Sequence, residues 1–218
     1  MKRTETIIPN IEFTTASGNY DTSRQPITQI IIHSTIGTVQ SAINTFGKVG
    51  TKVSAHYIIG NDGKLYQGLE EFYTAYATGK YDVNLSSISI EHEWYQGLTP
   101  SNELYNMSAR LVADICKFYG LGVNRGVIKG HKEIVPTKCP NAIDVDRIVR
   151  EANAILNPPA TDYKKLYEAS LQKVGDLQAT EIRLKIEIAN KDKAIQERDK
   201  TISTLTTKLG QIKALATI

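Results

Sequence analysis

The chain has 218 residues, 41% hydrophobic and 22% charged, an ordinary globular balance that excludes collagen-like and wholly disordered proteins. No apolar run approaches the roughly 18–20 residues that cross a bilayer, and Met1-Lys2-Arg3 leads to Pro9-Asn10 without the apolar core of a signal peptide. The net charge of +3 lies entirely beyond residue 156, because residues 1–156 balance 15 basic against 15 acidic side chains, so the concentrated basic face of a nucleic-acid binder is missing.

Ile27-Thr28-Gln29-Ile30-Ile31-Ile32 reads as a buried strand that ends at His33-Ser34-Thr35. Thr38 caps a helix through Phe46, which Gly47 and Gly50 end. Residues 55–59 and 64–66 flank Gly60-Asn61-Asp62-Gly63 as a β-hairpin around an Asp-Gly turn. Residues 87–93 alternate with period two, which sets Ser89, Glu91 and Glu93 on the opposite face from Ile88, Ile90 and His92. Thr99-Pro100 reads as the cap and first turn of a helix to Gly120, with Leu104, Leu111, Ile115 and Phe118 on one apolar side. Gly126-Val127-Ile128 is a short fourth strand, and Asp144 caps a third helix whose Val145, Ile148, Val149, Ala152 and Leu156 share a face. Strands interleaved with helices predict an α/β domain around a mixed, partly parallel sheet.

Asn157-Pro158-Pro159-Ala160 interrupts this pattern, since consecutive prolines stop a helix and stiffen a linker. The expected organisation is a domain over residues 1–156, a Pro-containing linker over 157–162 and a tail over 163–218. The tail has no Trp, Phe, His, Cys or Pro, and it carries a heptad. With Val174, Glu181, Ile188, Ile195, Ile202, Leu209 and Ala216 at position a, position d holds Leu177, Leu184, Lys191, Arg198, Leu205 and Ile212. β-Branched a with Leu at d is the preference of a two-stranded parallel coiled coil, and Glu181, Lys191 and Arg198 are defects in its seam. A helix of about 55 residues runs roughly 80 Å, too long for a domain of this size to cover. A homo-oligomer through this C-terminal helix, in the form of a parallel dimer, is expected.

Chemistry concentrates ahead of the linker, where all four histidines and both cysteines lie. His33 stands at the end of a strand, where ligands gather in α/β sheets. His131 follows the short strand and Lys129-Gly130, and Cys139 comes eight residues later in a loop that Pro136 and Pro140 stiffen. Two imidazoles and a thiolate suit zinc, and three protein ligands leave a fourth position for water, as catalytic sites do. Spacing alone leaves the alternative of two hydrogen-bonded core histidines and a buried thiol. His56 reads as a core histidine, His92 as packed or half-exposed beside Trp94, and Cys116 as a buried inert thiol. Tyr66, Tyr73, Tyr76 and Tyr81 are candidates to stack on sugar rings. Glu91, by alternation alone, reads as a solvated acid on a strand face.

Four blocks taken together resemble the zinc-dependent N-acetylmuramoyl-L-alanine amidases. They are Ile30-Ile31-Ile32-His33-Ser34-Thr35, Val53-Ser54-Ala55-His56-Tyr57-Ile58-Ile59, Ser87-Ile88-Ser89-Ile90-Glu91, and Gly130-His131-Lys132-Glu133 with Thr137-Lys138-Cys139-Pro140. This amidase-2 family includes phage endolysins and peptidoglycan recognition proteins, and the resemblance spans roughly residues 27–156, with the Asp-Gly hairpin and Asn84 in place. It implies a mixed sheet flanked by helices, zinc on His33, His131 and Cys139, and Glu91 as the carboxylate that moves the proton. The implied reaction is hydrolysis of the amide between N-acetylmuramic acid and L-alanine in bacterial peptidoglycan. With no signal peptide, the resemblance implies an endolysin held in the host cytoplasm until lysis and then acting on the wall. The alternative is a recognition protein that binds muropeptide without cutting it; that branch commonly loses the third ligand, whereas Cys139 is present. Three positions depart from the family pattern. Ala55 stands where some phage members carry Tyr, and Ala75-Tyr76-Ala77-Thr78-Gly79 lacks the histidine of the usual Ala-Trp-His-Ala-Gly. Thr137 stands where many members carry Lys, so the oxyanion partner is either the Thr137 hydroxyl or the charge of Lys138.

Overall fold

The computed structural model describes residues 11–13, 16, 18–158 and 163–215, in two compact units that divide between residues 159 and 160. The first unit is built on a six-stranded sheet. Its strands are β1 (Ile11–Phe13), β3 (Gln29–Ser34), β4 (Tyr57–Ile59), β5 (Leu65–Gln67), β7 (Ser87–His92) and β8 (Ile128–Gly130), in the spatial order β1-β5-β4-β7-β3-β8. β3 runs parallel to both β7 and β8, β4 runs parallel to β7, and β4 and β5 form the antiparallel hairpin. A two-stranded ribbon of β2 (Tyr20–Asp21) and β6 (Thr74–Ala75) lies apart from this sheet.

Parallel strands covered on both faces read as continuous apolar runs, and Ile30, Ile31 and Ile32 are all fully buried. Alternation sends Ile30, Ile32, Ile88 and Ile90 into one core with Leu104, Leu111 and Ile115 of α3 (Asn102–Tyr119) and Ile148 and Ala152 of α4 (Val145–Leu156). Ile58 joins a second, smaller core with Ala42 and Phe46 of α1 (Val39–Gly47). Each such isoleucine contributes about 1.5–3 kcal/mol by leaving water. Thr38 and Asp144 cap α1 and α4 through their side chains, as their sequence positions predict.

Four local expectations are corrected. β3 continues through Ser34, so His33 lies inside the strand rather than after it. α3 starts at Asn102 with Ser101 as its cap, because Ser101 Oγ both accepts the Leu104 N–H and donates to the Asn61 carbonyl. Phe118 is 52% exposed and off the apolar side of α3. The fourth strand begins at Ile128, since Asn124 folds Gly126 and Val127 into a turn by accepting their N–H groups on its side chain and its carbonyl. The short α2 (Tyr81–Leu85) and a single 3₁₀ turn (His131–Glu133) were not expected.

The second unit is one continuous helix, α5 (Tyr163–Leu215), 53 residues and about 80 Å long at 1.5 Å per residue. Its described side chains are exposed throughout, and Glu181–Lys185 and Glu187–Lys191 form ion pairs along it at 2.7 Å each. The heptad position Ala216 and linker residues 159–162 lie outside the described residues. No described helix is long and apolar enough to cross a membrane. A mixed sheet flanked by helices, followed by a long C-terminal helix, is the architecture the sequence predicts.

Candidate metal centre and active site

Parallel pairing of β3 with β8 sets Ile32 opposite Gly130, so His131, the next residue, emerges beside His33. Their rings lie 4.5 Å apart between centroids, tilted by 57°. Gly130 is what allows the loop beyond to close over this strand end: a Cβ there would lie 3.0 Å from Pro140 Cδ. The loop is tied down by Lys132 N–H donating to the Cys139 carbonyl at 2.8 Å. Cys139 Sγ then sits 3.9 Å from His33 Nδ1 and accepts the Ser34 N–H at 3.3 Å. One ligand atom each from His33, His131 and Cys139 fall within 4.8 Å of one another.

Glu91 joins from the neighbouring strand. β7 pairs with β3 in a register that sets Glu91 opposite His33, and paired residues share a face of the sheet. Burial pushes the Glu91 carboxyl up to about 8, and its Oε2 is buried with no hydrogen-bond partner. Rather than the solvated acid that alternation alone suggests, it is a desolvated one. Burial also drives the Cys139 thiol up to about 11, with the Glu91 charge adding to the rise and the Ser34 N–H opposing it. His33 is held well below its ordinary value by burial first and then by His131, His92 and His56. It is therefore a neutral imidazole with a free lone pair, and its Nε2 is likewise buried and unpartnered.

These features fit a divalent metal. Two orphaned polar atoms, a neutral imidazole and a thiol that burial disfavours as a free anion all gain from a cation among them. The donor set, two nitrogens and one sulfur, is that of zinc.

His131 is oriented from behind. Its Nε2–H donates to the Thr78 carbonyl at 3.1 Å, which leaves Nδ1 as the lone-pair nitrogen. Thr78 is in turn clamped by Asn84, whose Oδ1 accepts the Thr78 N–H at 3.0 Å and its hydroxyl at 2.7 Å. Arg24 donates to the Asn84 carbonyl at 2.7 Å and to the Ser87 carbonyl at 2.8 Å, tying the clamp to the start of β7. Sequence reading missed Thr78 and Arg24. The one available signal was that Thr78 falls in the block departing from the family's Ala-Trp-His-Ala-Gly.

The other two histidines support the sheet. His56 is fully buried, accepts the Ser89 N–H at 3.0 Å, donates to the Tyr73 carbonyl at 3.1 Å, and is lowered to about 3 by burial and by Arg24. His92 is packed, not half-exposed: Nδ1 donates to the His33 carbonyl at 3.0 Å and Nε2 accepts from Ser108 Oγ at 2.7 Å. Cys116 is buried within α3. Glu93 is occupied by the N–H groups of Asn61 at 2.8 Å and Val39 at 3.3 Å.

Thr137 and Lys138 are both exposed on the loop before Cys139. Thr137 Oγ1 accepts the Cys139 N–H at 3.2 Å, which leaves its hydroxyl hydrogen to donate elsewhere. Lys52, Val53, Tyr76, Ala77, Gly79, Tyr81 and Asn84 line a cavity of about 570 Å³ on either side of Thr78. Tyr66 lines a separate pocket with Thr38, Asp62 and Glu93, and Tyr73 packs on Tyr20 and Phe72. Of the four tyrosines, Tyr76 and Tyr81 alone line the cavity beside Thr78.

Fold and site together define an α/β protein with a His-His-Cys centre and an adjacent buried carboxylate. The Amidase_2 family, N-acetylmuramoyl-L-alanine amidase, matches residues 23–142, more than half of the chain, and the protein belongs to that family. N-acetylmuramoyl-L-alanine amidase A of Achromobacter lyticus is 31% identical over 109 residues, 49% of this chain and 60% of that relative, so the match spans less than two thirds of the relative's length. Two solved structures share the fold. PlyL is 16% identical with a TM-score of 0.57, covering 66% of this chain and 96% of its own. The endolysin N-acetylmuramoyl-L-alanine amidase LysCS from Clostridium intestinale URNW is 20% identical with a TM-score of 0.55, covering 70% and 98%.

Proposed function

We propose that residues 1–156 form a zinc-dependent amidase that cuts peptidoglycan between N-acetylmuramic acid and L-alanine. The observation that carries this reading is the convergence of His33, His131 and Cys139 beside Glu91, a carboxylate raised to about 8 by burial. Zinc bound by His33, His131 and Cys139 would lower the pKa of a coordinated water to about 7 and polarise the scissile carbonyl.

The remaining work falls to side chains. Ser34 N–H stabilises the Cys139 thiolate, and Thr78 holds His131 in the tautomer that offers Nδ1. Glu91 takes the proton of the attacking water and returns it to the departing L-alanine nitrogen; a carboxyl near neutrality can do both at pH 7. Thr137, by its hydroxyl, or Lys138, by its charge, offsets the negative charge that grows on the carbonyl oxygen. Tyr76 and Tyr81 supply flat apolar surface for the sugar in the cavity beside Thr78.

In this reading residues 157–162 are a linker and residues 163–218 an oligomerisation tail. The biological role is that of an endolysin, retained in the host cytoplasm until the membrane is breached and then acting on the wall. Digestion of purified peptidoglycan with mass analysis tests the chemistry. New free L-alanine amino termini without new reducing sugar ends are expected; new reducing ends alone would make the enzyme a glycosidase and overturn the assignment.

A further inference from the structure

The apolar heptad positions of α5 are uncovered, with exposures between 46% and 63%. A stripe that long remains wet unless another helix lies on it. The proposal that follows rests on self-association of the tail and concerns its direction. Apolar residues alone favour a parallel pair, with Ile188, Ile195 and Ile202 at a and Leu177, Leu184 and Leu205 at d.

Charge decides the other way. In a parallel pair each core residue meets itself, so Glu181, Lys191 and Arg198 make three like-charged layers inside the seam. The flanks add to this. In a parallel pair a residue at g faces the following e of the other chain, which sets Glu187 against Asp192 and Lys208 against Lys213.

We infer that two copies of this chain pair through α5 in the antiparallel sense, with the two helices overlapping along their full length. In that arrangement a faces d of the other copy. Glu181 then meets Arg198 of the second copy, and symmetry makes this contact twice. Val174 meets Leu205, Leu177 meets Ile202, and Leu184 meets Ile195, so the apolar layers stay apolar. Position e now faces e, which brings Lys185 to Asp192 of the second copy, again twice. Lys191 faces Ile188 and keeps the ion pair it makes with Glu187 in its own helix. The like-charged contacts this creates on the flanks are Lys173 with Lys208 and Lys164 with Lys213, both near the ends of the coil and exposed to solvent. The same residues that are defects in a parallel seam become the pairs that set direction in an antiparallel one.

The test uses the full chain. Light scattering should give a dimer at micromolar concentration; a monomer would overturn both the association and its direction. Leu177→Cys and Ile202→Cys, each alone, should form no intermolecular disulfide faster than wild type, whose two cysteines are buried. Mixed in equal amounts after unfolding and refolding together, they should cross-link as a heterodimer. Rapid self-linking of either single variant would overturn the antiparallel arrangement while leaving self-association standing. Arg198→Glu should raise the dimer dissociation constant about tenfold, and the double variant Glu181→Arg, Arg198→Glu should restore it. A parallel coil would respond to neither change, since every altered layer would remain like-charged. None of these readouts depends on amidase activity, so failure here and failure of the catalytic assignment are separable.

Discussion

Replacing Glu91 by Gln should stabilise the metal-free protein and abolish its turnover. The Glu91 carboxyl stands at about 8 in the folded chain against an ordinary 4.5, because burial removes the water that would solvate its charge. At pH 7 the unfolded chain carries this group ionised, while the folded chain holds it mostly protonated. Folding must therefore take up a proton across about 2.5 pH units, at about 1.4 kcal/mol per unit, a cost of about 3 kcal/mol. Glutamine keeps the volume, stays neutral at every pH, and leaves a buried amide no worse partnered than the protonated acid. The gain should raise the melting temperature by roughly 6–12 °C for a chain of this size. Because the folded pKa is the higher one, the wild-type carboxyl costs nothing below pH 4.5, and its penalty grows as pH rises toward 8. The gap between variant and wild type should therefore be near zero at pH 4.5 and largest above pH 8. Calorimetric melts of chelator-treated protein across this range measure it directly. A gap that does not change with pH, or a variant that melts lower at pH 8, would refute the argument that burial has destabilised a functional carboxylate. The zinc-loaded variant should bind metal normally and lose two to four orders of magnitude in turnover, about the worth of general acid–base catalysis.

His33→Ala, His131→Ala and Cys139→Ser should each lose stoichiometric zinc and cell-wall lysis; near-wild-type lysis by zinc-free His131→Ala would remove the centre from the mechanism. Asn84→Ala strips the acceptor from the Thr78 N–H and hydroxyl, and should cost about 1–3 kcal/mol in urea unfolding and about 10–100-fold in zinc affinity. Unchanged affinity in a chelator competition would show that His131 needs no such support. His92 is lowered to about 4 by burial, so the unfolded chain protonates it first as pH falls through 6.5. In a Glu91→Gln background, where the opposing carboxyl is gone, stability should fall by about 3 kcal/mol between pH 7 and pH 4, with His56 adding to the loss. A flat unfolding free energy over that window would contradict the buried neutral state of both histidines.

Much of the fold was legible because it is written in local patterns. The triple isoleucine, the period-two run at residues 87–93 and the Asp-Gly hairpin each specify an element through neighbours in sequence. The start of β8 was misread because Val127 and Ile128 look alike as apolar residues, and only the turn built by Asn124 separates them. Ser101 was overlooked in favour of Thr99-Pro100, since its second bond, to the Asn61 carbonyl, comes from a loop 40 residues away. The site was less legible than the fold. Three donors of the right type were visible, but Cys139 reaches His33 across 106 residues through the β3–β8 pairing, and no spacing rule reports that. The resemblance of separated blocks supplied the link. Of the clamp, Asn84 stood in the resemblance, but Arg24 and Thr78 escaped even that, because they work through main-chain carbonyls, which any residue type can offer.

The parallel placement of β3 between β7 and β8 has a consequence for how the chain comes into being. β3 is made as three consecutive isoleucines, and its two neighbours follow roughly 60 and 100 residues later. At about 5–20 residues per second, the strand waits some 5–20 s before its second edge can be covered. Pairings of such long sequence separation are also intrinsically slow to close. During this interval the nascent protein presents an unpaired apolar strand, the kind of surface that aggregates or recruits chaperones. Cys139 lies beyond every strand of the sheet, so the donor set is completed only after the last of them has been made. The donor set is thus incomplete until the whole sheet has been made, and the yield in a cell should depend on temperature and chaperone supply as well as on the stability of the finished fold.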